Sequence, residues 1–394
     1  MNIAEQSKQY IMNTYGRYDF ALVRGEGSYV WDDQGRKYLD FSSGISVNNL
    51  GHCCAAITEA IREQSSKIIH CSNLFWSEPQ CNLAAELVPS SGLGKVFFAN
   101  SGAEANEGAI KLARKYWHDR GEDKTEIITM EKSFHGRTMA TLTATGQDKV
   151  KVGFAPLLAG FTYVPYNDFS ALASAVNSHT AAIMLEPVQG EGGVYPAGVE
   201  YLKDIRSLCD EKGILLIFDE IQCGLGRCGK LFCYENYGVK PDIVTLAKSL
   251  GGGLPLGAFI ATDEVAASFG PGSHGSTFGG NPVAAAAGLA YLHELERVGA
   301  IDNALCQGQY LQAKLRALES PYLRDVRGLG LLVGAEIEGN AGAVVAASLQ
   351  EGVILLGAGP HVVRFLPPLN CTKEQIDEGV AAFARGLATQ CNPV

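Results

Sequence analysis

The sequence predicts an α/β fold: a large domain built on a mainly parallel sheet flanked by helices, and a smaller α+β domain. Short apolar runs alternate with helix-like stretches from about residue 90 to 290, as is typical of βαβ units. After about residue 295 the pattern changes to one long helix-like stretch and three strand-like runs. A chain of 394 residues is also longer than one compact core usually needs. We therefore expect an N-terminal segment (1–45) packed with the small domain, a large domain (46–294) and a small domain (295–394).

The individual elements follow from local patterns. In the N-terminal segment, Asp33–Gln34–Gly35 separates two strand-like runs and predicts a hairpin. In the large domain, VFFAN, EIITM, AAIML, ILLIF, DIVTLA and GAFIAT predict strands. Helical spacing of Ile110, Ala113 and Trp117 predicts a helix that begins near Ala103, and a second helix is expected over about 199–211. One long helix is expected over about 295–318, before the strand-like runs RGLGLLVGAEIE, GVILLGAG and VVRFL.

Composition narrows the class of function. The net charge of -10 argues against nucleic acid or an anionic membrane as the main partner. The most apolar run is far shorter than the ~20 residues of a membrane-spanning helix, and the first ten residues lack the layout of a signal peptide. Eleven cysteines show no zinc-ligand spacing. We expect a cytoplasmic protein with no metal site.

A lysine and an aspartate each end a predicted strand. Lys248 follows the apolar run of DIVTLA and precedes three glycines, and Asp219 ends the run ILLIF. Ligands of open α/β sheets bind at the carboxyl ends of strands. A lysine desolvated there becomes a nucleophile toward carbonyl groups. Pyridoxal phosphate needs this pair, because a lysine binds the cofactor covalently and an acid keeps its ring nitrogen protonated.

Other candidates keep two interpretations each. Ser101 to Ala103 follow a strand and open a helix, which suits a phosphate, but Ser101 could equally be a plain N-cap. Thr277, in a glycine-rich turn, could add a phosphate contact. Phe134 could stack on a ring cofactor or belong to the core. Arg137 could bind a carboxylate or form a surface ion pair.

Three further charged residues lie near the ends of two predicted strands. Glu186 and Glu191 follow AAIML in a glycine-rich loop and could cap or pair locally. Arg364, in VVRFL, would be costly to bury without a carboxylate partner. The stretch 224–230 matches a GxGxxG dinucleotide motif. We reject that interpretation because five residues separate it from its strand and no helix clearly follows.

These motifs together resemble those of the class III pyridoxal-phosphate-dependent aminotransferases, of fold type I. The resemblance rests on the sequences at 101–107, 133–138, 186–193, 216–232, 245–258, 276–282 and 362–369, and it covers nearly the whole chain. Within this class, the stretches at 13–45 and 70–79 look most like those of acetylornithine aminotransferases.

The resemblance implies a role for each candidate. Lys248 would bind pyridoxal phosphate covalently, and Asp219 would hold its ring nitrogen. The remaining cofactor-binding positions would be Ser101, Gly102, Ala103, Phe134, Glu220, Ile221, Gln222 and Thr277, with Thr277 supplied by the other subunit of a homodimer. Substrate carboxylates would be bound by Arg137, with Ser276 nearby, and by Arg364, which would otherwise pair with Glu191.

The implied reaction transfers the δ-amino group of N2-acetyl-L-ornithine to 2-oxoglutarate. Ile45 stands where ornithine aminotransferases carry a tyrosine that binds a free α-amino group, so a donor with a blocked α-amine is favoured. Succinyl-diaminopimelate, succinylornithine, 4-aminobutyrate and ornithine remain alternative donors. A binding protein that keeps the fold without turnover is the alternative from another class.

Overall fold

The computed structural model describes residues 3–391. Its helices within that range have these bounds: Ile3–Tyr10, Ala55–Lys67, Glu78–Ser91, Gly102–His118, Met139–Ala144, Phe169–Ala175, Val199–Lys212, Asp263–Ala266, Pro282–Arg297, Ala300–Arg316, Ala341–Gln350 and Lys373–Cys391. A further helical turn at Ser43–Ser46 is left-handed, since φ is positive at all four of its residues. No helix in the described part of the chain is long and apolar enough to cross a membrane.

The largest sheet has seven strands and is mainly parallel, as predicted. In spatial order its strands are Lys95–Ala99, Gly257–Ala261, Ile243–Leu246, Leu215–Asp219, Thr180–Leu185, Glu126–Met130 and Phe161–Val164. Helices pack against it, and its central strands are fully buried, as expected for a sheet covered on both faces. The carboxyl ends of the parallel strands therefore meet along one edge of the sheet.

One strand of this sheet runs against the others. Gly257–Ala261 pairs antiparallel with both of its neighbours. Only about ten residues connect it to Ile243–Leu246, and they contain a single 3-10 turn, Lys248–Gly251. A parallel return needs a crossover of a dozen residues or more. The short connection therefore reverses the strand.

Within residues 3–391 there are also two four-stranded sheets and one two-stranded sheet. The predicted hairpin is present, with strands Tyr29–Asp32 and Lys37–Asp40. It joins Leu22–Glu26 on one side and Val353–Ile354 on the other in a four-stranded sheet. The other four-stranded sheet is antiparallel and consists of Leu323–Leu329, Leu332–Ile337, Val362–Phe365 and Leu356–Gly357, in that spatial order. A two-stranded sheet pairs Val188–Gln189 with Tyr195–Pro196.

The prediction of one long helix over 295–318 is wrong in its bounds. One helix ends at Arg297 and the next begins at Ala300, because Gly299 between them has a φ of 61°. A left-handed residue ends a right-handed helix, and glycine adopts this conformation without strain. The domain boundaries after residues 45 and 294 stay predictions.

The stretch 224–230 contains a buried arginine that forms hydrogen bonds to distant parts of the chain. Arg227 is fully buried and donates from Nη1 to the carbonyls of Leu331 and Pro367, at 2.9 and 2.6 Å. Its Nε donates to Ser46 Oγ at 3.0 Å. One guanidinium thus joins three distant parts of the chain beside the large sheet. These contacts indicate that the glycine-rich stretch has a structural role and does not bind a nucleotide.

Candidate active site

A cavity of about 440 Å³ opens at the carboxyl ends of the central strands. Most of the residues predicted from the sequence line it: Ser101, Gly102, Ala103, Phe134, Arg137, Glu191, Asp219, Ile221, Gln222 and Lys248. They come from stretches more than 100 residues apart in the chain. The parallel sheet brings them together, because each follows the end of a strand that points to the same edge.

Lys248 follows the strand Ile243–Leu246 and is partly buried in the cavity wall. Burial lowers the pKa of its ammonium group to about 8; the charge of Arg364 acts in the same direction, and those of Glu191 and Asp219 oppose it. A lower pKa leaves more free amine at neutral pH, which is the nucleophilic form. The φ of Lys248 is 53°, a strained value for a residue with a side chain, and such strain is often found at functional sites.

Asp219 is held by a buried polar network. Its Oδ2 accepts a hydrogen bond from Asn106 Nδ2 at 2.8 Å and lies 2.7 Å from His135 Nδ1. Its Oδ1 accepts from the backbone N–H of Ile221 at 3.0 Å. All three side chains are at most 3% exposed. The carboxylate is therefore fixed in orientation with one edge toward the cavity.

Sequence reasoning missed two members of this network, His135 and Asn106. Asn106 is a polar residue on the otherwise apolar buried face of the helix Gly102–His118. His135 directly follows Phe134, next to the strand end that was already recognised. A polar side chain at a buried helical position is the signal that could have found Asn106, because buried amides need partners.

The start of the helix Gly102–His118 forms one wall of the cavity. Ser101 is its N-cap, and the hydroxyl accepts from the N–H of Glu104 at 3.2 Å. The N–H groups of the first helical turn have no acceptor within the helix, and the positive end of its dipole lies there. Ser101 is thus an N-cap, and the helix start is suited to a phosphate, which stays a prediction.

Gly102 packs closely against Ile221, so a side chain at this position would force Ile221 to shift. A Cβ at this position would lie 2.8 Å from Cδ1 of Ile221, well inside van der Waals contact. Ile221 lines the same cavity. The missing side chain lets the helix start approach the strand that carries Asp219.

Phe134 and Arg137 lie at the outer part of the cavity. Phe134 is partly buried, so it belongs to the cavity wall and not to the apolar core. Its N–H donates to Oε2 of Glu186 at 3.1 Å. Arg137 is exposed, and its guanidinium carbon lies 5.6 Å from the centre of the Phe134 ring. A charged fork at the cavity mouth can receive a carboxylate from solution.

Arg364 is buried, and its carboxylate partner is Glu191. Arg364 Nη1 lies 2.6 Å from Glu191 Oε1 and 2.7 Å from Gln222 Oε1. Gln222 Nε2 donates to the same oxygen of Glu191 at 3.0 Å. Burial raises the pKa of Glu191, but the charges of Arg364 and Lys248 outweigh it and lower that pKa to about 2. Glu191 is therefore ionised at neutral pH.

Glu186 brings a second carboxyl group next to Asp219. It follows the strand Thr180–Leu185, whose Leu185 pairs with Phe218 on the neighbouring strand. Burial, together with the nearby charge of Asp219, raises the pKa of Glu186 well above its ordinary value. Two adjacent buried carboxyl groups do not both ionise easily.

Four predicted residues do not line this cavity: Arg364, which contacts the lining residues Glu191 and Gln222 from behind, and Glu220, Ser276 and Thr277. Glu220 is fully buried, and its two oxygens accept from the N–H groups of Cys233 and Tyr234 at 2.6 and 2.7 Å. Ser276 Oγ accepts from Asn100 Nδ2 and from the N–H of Gly279. Thr277 is exposed on the same turn, close to residues 70–73.

The cavity has the groups that pyridoxal phosphate needs. Lys248 offers a free amine, Asp219 a fixed carboxylate, and the start of the helix at Gly102 open N–H groups for a phosphate. Phe134 adds an aromatic ring to the cavity lining. Each group comes from a different loop, and all of them line one cavity. The residues present therefore fit this cofactor.

Known proteins of the same kind match almost the whole chain. The family model for class III aminotransferases matches residues 10–387. The acetylornithine aminotransferase of Caldanaerobacter subterraneus is 52% identical over 95% of this chain and 96% of that protein. That of Bacillus subtilis is 49% identical over 96% of this chain and 97% of that protein.

Solved structures agree with this match. N-acetylornithine aminotransferase from Stenotrophomonas maltophilia is 40% identical, with a TM-score of 0.86, over 98% of this chain and 99% of that one. Ornithine aminotransferase from Toxoplasma gondii, crystallised with partial occupancy of pyridoxal phosphate, is 31% identical, with a TM-score of 0.95, over 98% of this chain and 93% of that one. The chain thus belongs to the class III aminotransferases and is a pyridoxal-phosphate-dependent enzyme.

Proposed function

We propose that this enzyme transfers the δ-amino group of N2-acetyl-L-ornithine to 2-oxoglutarate, giving N-acetyl-L-glutamate 5-semialdehyde and L-glutamate. This is a step of arginine biosynthesis, for which a cytoplasmic location is expected. The relatives that are about half identical over nearly their whole length are acetylornithine aminotransferases. The single observation that carries the proposal is a cavity lined by Lys248, Asp219 and Glu191, with Glu191 paired to the buried Arg364 behind it.

Each residue that lines the cavity has a separate role in the proposed reaction. When bound, pyridoxal phosphate supplies a carbonyl that accepts the amino group and a ring that withdraws electrons from the reacting carbon. Asp219, held by His135 and Asn106, keeps a proton at the ring nitrogen. Lys248 moves the proton at the reacting carbon as general acid and base. The helix start at Ser101 to Ala103 would hold the phosphate, Phe134 would cover the ring, and Ile221 and Gln222 would complete the cofactor-binding set.

Arg364 and Glu191 allow one cavity to accept two different substrates. 2-Oxoglutarate carries a carboxylate beside its reacting carbon, whereas the δ-carbon of the donor carries none. Arg364 binds the carboxylate of 2-oxoglutarate. Glu191 neutralises Arg364 when the donor is present, and it must move away for 2-oxoglutarate. Arg137 binds the carboxylate at the far end of either substrate.

A blocked α-amino group suits the surroundings of Ile45. Ile45 is 42% exposed on the left-handed turn at Ser43–Ser46, two residues before the cavity-lining Val47. An aliphatic side chain makes no hydrogen bond to a free ammonium group, which would lose its hydration without compensation. An acetylated amine has no such charge to desolvate. Ornithine is the second candidate, because ornithine aminotransferases match the fold closely.

We also infer a homodimer with shared active sites. Leu74, Phe75 and Trp76 are 87%, 69% and 95% exposed, and Phe278 nearby is 58% exposed. An apolar surface of this kind is typical of an interface between chains. Thr277 lies next to Phe278, is exposed and does not line the cavity of its own chain. Covering this surface with a second copy would allow Thr277 to reach the phosphate in the partner's cavity.

A panel of amino donors with 2-oxoglutarate tests the substrate. The panel contains N2-acetyl-L-ornithine, N2-succinyl-L-ornithine, N-succinyl-diaminopimelate, 4-aminobutyrate and L-ornithine. We expect N2-acetyl-L-ornithine to give the highest kcat/KM, with parallel lines in double-reciprocal plots because the two substrates react in turn. A higher kcat/KM for any other donor would replace the proposed substrate.

A further inference from the structure

Glu191 borders a second cavity of about 470 Å³ as well as the one that contains Lys248. Lys132 and the segment Gly146–Lys149 line one side of this second cavity, and the segment Gly359–Val362 lines the other. Glu191 therefore lies between the two cavities. A rotation of its side chain would carry its carboxylate from one space toward the other.

Glu191, not Arg364, is the member of the pair that can move. The side chain of Arg364 is 2% exposed on the strand Val362–Phe365, whereas that of Glu191 is 30% exposed. The backbone beside Glu191 is fixed: a Cβ on Gly190 would lie 2.1 Å from Gln222 Oε1, and the carbonyl of Gly193 accepts two hydrogen bonds from Arg327, at 3.0 and 2.7 Å. The motion is therefore a rotation of one side chain.

A carboxylate that leaves Arg364 needs a new cationic partner or water. Lys132 lies against the next residue, because a Cβ on Gly192 would lie 2.3 Å from the carbonyl oxygen of Lys132. Its Nζ is 5.3 Å from the centre of the Tyr195 ring, on the wall of the second cavity. Within residues 3–391, no ion pair is found for this ammonium group.

Other cations near this cavity are less suitable. Arg327 Nη1 already pairs with Asp325 and Glu336, at 2.8 and 2.6 Å. Lys149 is exposed in the short turn Asp148–Val150, directly after the carboxylate of Asp148. Lys132 is therefore the cation that combines an open partner site with a position next to the loop of Glu191.

We propose that Lys132 is a positioning residue that receives the carboxylate of Glu191 while a substrate carboxylate occupies Arg364. This inference rests on the proposed function and assigns the residue that makes the exchange of substrates possible. Without Lys132, the displaced carboxylate has only water as a partner, so Glu191 competes more strongly with the substrate for Arg364. The half-reaction with glutamate or 2-oxoglutarate depends on Lys132, and the half-reaction with the amino donor does not.

The test uses Lys132→Met holoenzyme with two separate single-turnover half-reactions, followed by cofactor absorbance. We expect kcat/KM for L-glutamate to fall about fivefold, which corresponds to one partly exposed ion pair, while the half-reaction with N2-acetyl-L-ornithine is unchanged. Glutarate, an unreactive dicarboxylate, should bind about fivefold more weakly in calorimetry. Lys132→Arg should restore both values. Lys203→Met, which removes an exposed lysine from the helix Val199–Lys212, is the matched control and should have no effect.

A second background separates positioning from a structural effect. In Glu191→Gln enzyme the carboxylate is absent, so adding Lys132→Met should change neither glutarate binding nor the glutamate half-reaction. Equal losses in both half-reactions, an unchanged affinity for glutarate, or the same loss in the Glu191→Gln background would overturn the proposal. If wild-type enzyme reacts with glutamate but not with N2-acetyl-L-ornithine, the proposed donor is wrong, and Lys132 is still tested by glutarate and glutamate.

Discussion

His135 Nδ1 lies 2.7 Å from Oδ2 of Asp219, and both side chains are shielded from solvent. An ionised carboxylate can only accept, so the imidazole donates through Nδ1. Together with Asn106, the imidazole fixes the carboxylate that faces the cavity. The orientation of the Asp219 carboxylate is therefore set by Asn106 and His135.

Replacing His135 should weaken the action of Asp219 without removing it. We expect His135→Phe to lower kcat about tenfold to 100-fold, since a hydrogen bond to a charged group contributes about 1.5–3 kcal/mol. The absorbance spectrum of the bound cofactor should shift as well, because its ring nitrogen would lose part of its proton. His179→Phe, at an exposed histidine, is the control. An unchanged spectrum and an unchanged kcat would contradict this role.

The pH dependence of cofactor binding should report the pKa of Lys248. Its folded-state pKa, about 8, lies below the ordinary value of 10.5, so the free amine forms as pH rises through about 8. Only the free amine reacts with an aldehyde. The rate at which apoenzyme recombines with pyridoxal phosphate should therefore rise with pH and level off above about 8. A rate that is still rising steeply between pH 9 and 10.5 would show that the amine is not desolvated.

Arg364 should discriminate between the two half-reactions. Arg364→Met is expected to reduce kcat/KM for 2-oxoglutarate about 100-fold or more, because the α-carboxylate of this substrate loses its buried cationic partner. The half-reaction with the amino donor should fall far less. Comparable losses in both half-reactions would mean that Arg364 does not bind the α-carboxylate.

A side chain at Gly102 should collide with Ile221. Gly102→Ala places a Cβ 2.8 Å from Cδ1 of Ile221, and we expect overpacking to cost about 1–3 kcal/mol and to weaken the binding of pyridoxal phosphate. The double variant Gly102→Ala with Ile221→Val provides space and should recover part of the affinity, measured by fluorescence titration. If Gly102→Ala alone leaves the affinity for pyridoxal phosphate and the Tm unchanged, the contact with Ile221 does not exclude a side chain at this position.

A charge at Trp76 should prevent dimerisation. Trp76 is 95% exposed in the apolar surface that also contains Phe278. Trp76→Asp would bury a carboxylate against apolar side chains of a second copy, at a cost of several kcal/mol, so sedimentation velocity should show monomers with reduced activity. Val199→Asp, at an exposed apolar residue at the start of the helix Val199–Lys212, is the control and should leave the oligomeric state unchanged. A monomeric wild-type enzyme would contradict the inferred interface.

The sequence was sufficient to predict the parallel sheet and the residues at its strand ends. Lys248 and Asp219 could be recognised because each ends an apolar run, a pattern that is local in sequence. The reversal of Gly257–Ala261 was harder to predict, since strand direction depends on which neighbour the strand joins and on how far the connection reaches. The break at Gly299 depends on a single left-handed residue inside a helical pattern.

The buried network could not be assigned from sequence spacing alone. His135, Asn106 and Asp219 are separated by up to 113 positions and meet only in the folded chain. Similarly, the carboxyl group of Glu220 follows that of Asp219 directly but points into the core, because successive residues past a strand end face opposite sides. Periodicity predicts which residues are buried, and tertiary contacts decide which buried polar groups meet.

The most direct measurement of the central claim is reduction of the purified holoenzyme with borohydride, followed by peptide mass spectrometry. The account predicts a pyridoxyl phosphate group on Lys248 and on no other lysine, and Lys248→Ala enzyme should carry no label. Labelling at a different lysine in the wild-type enzyme, or none at all, would contradict the assignment of this cavity as the active site.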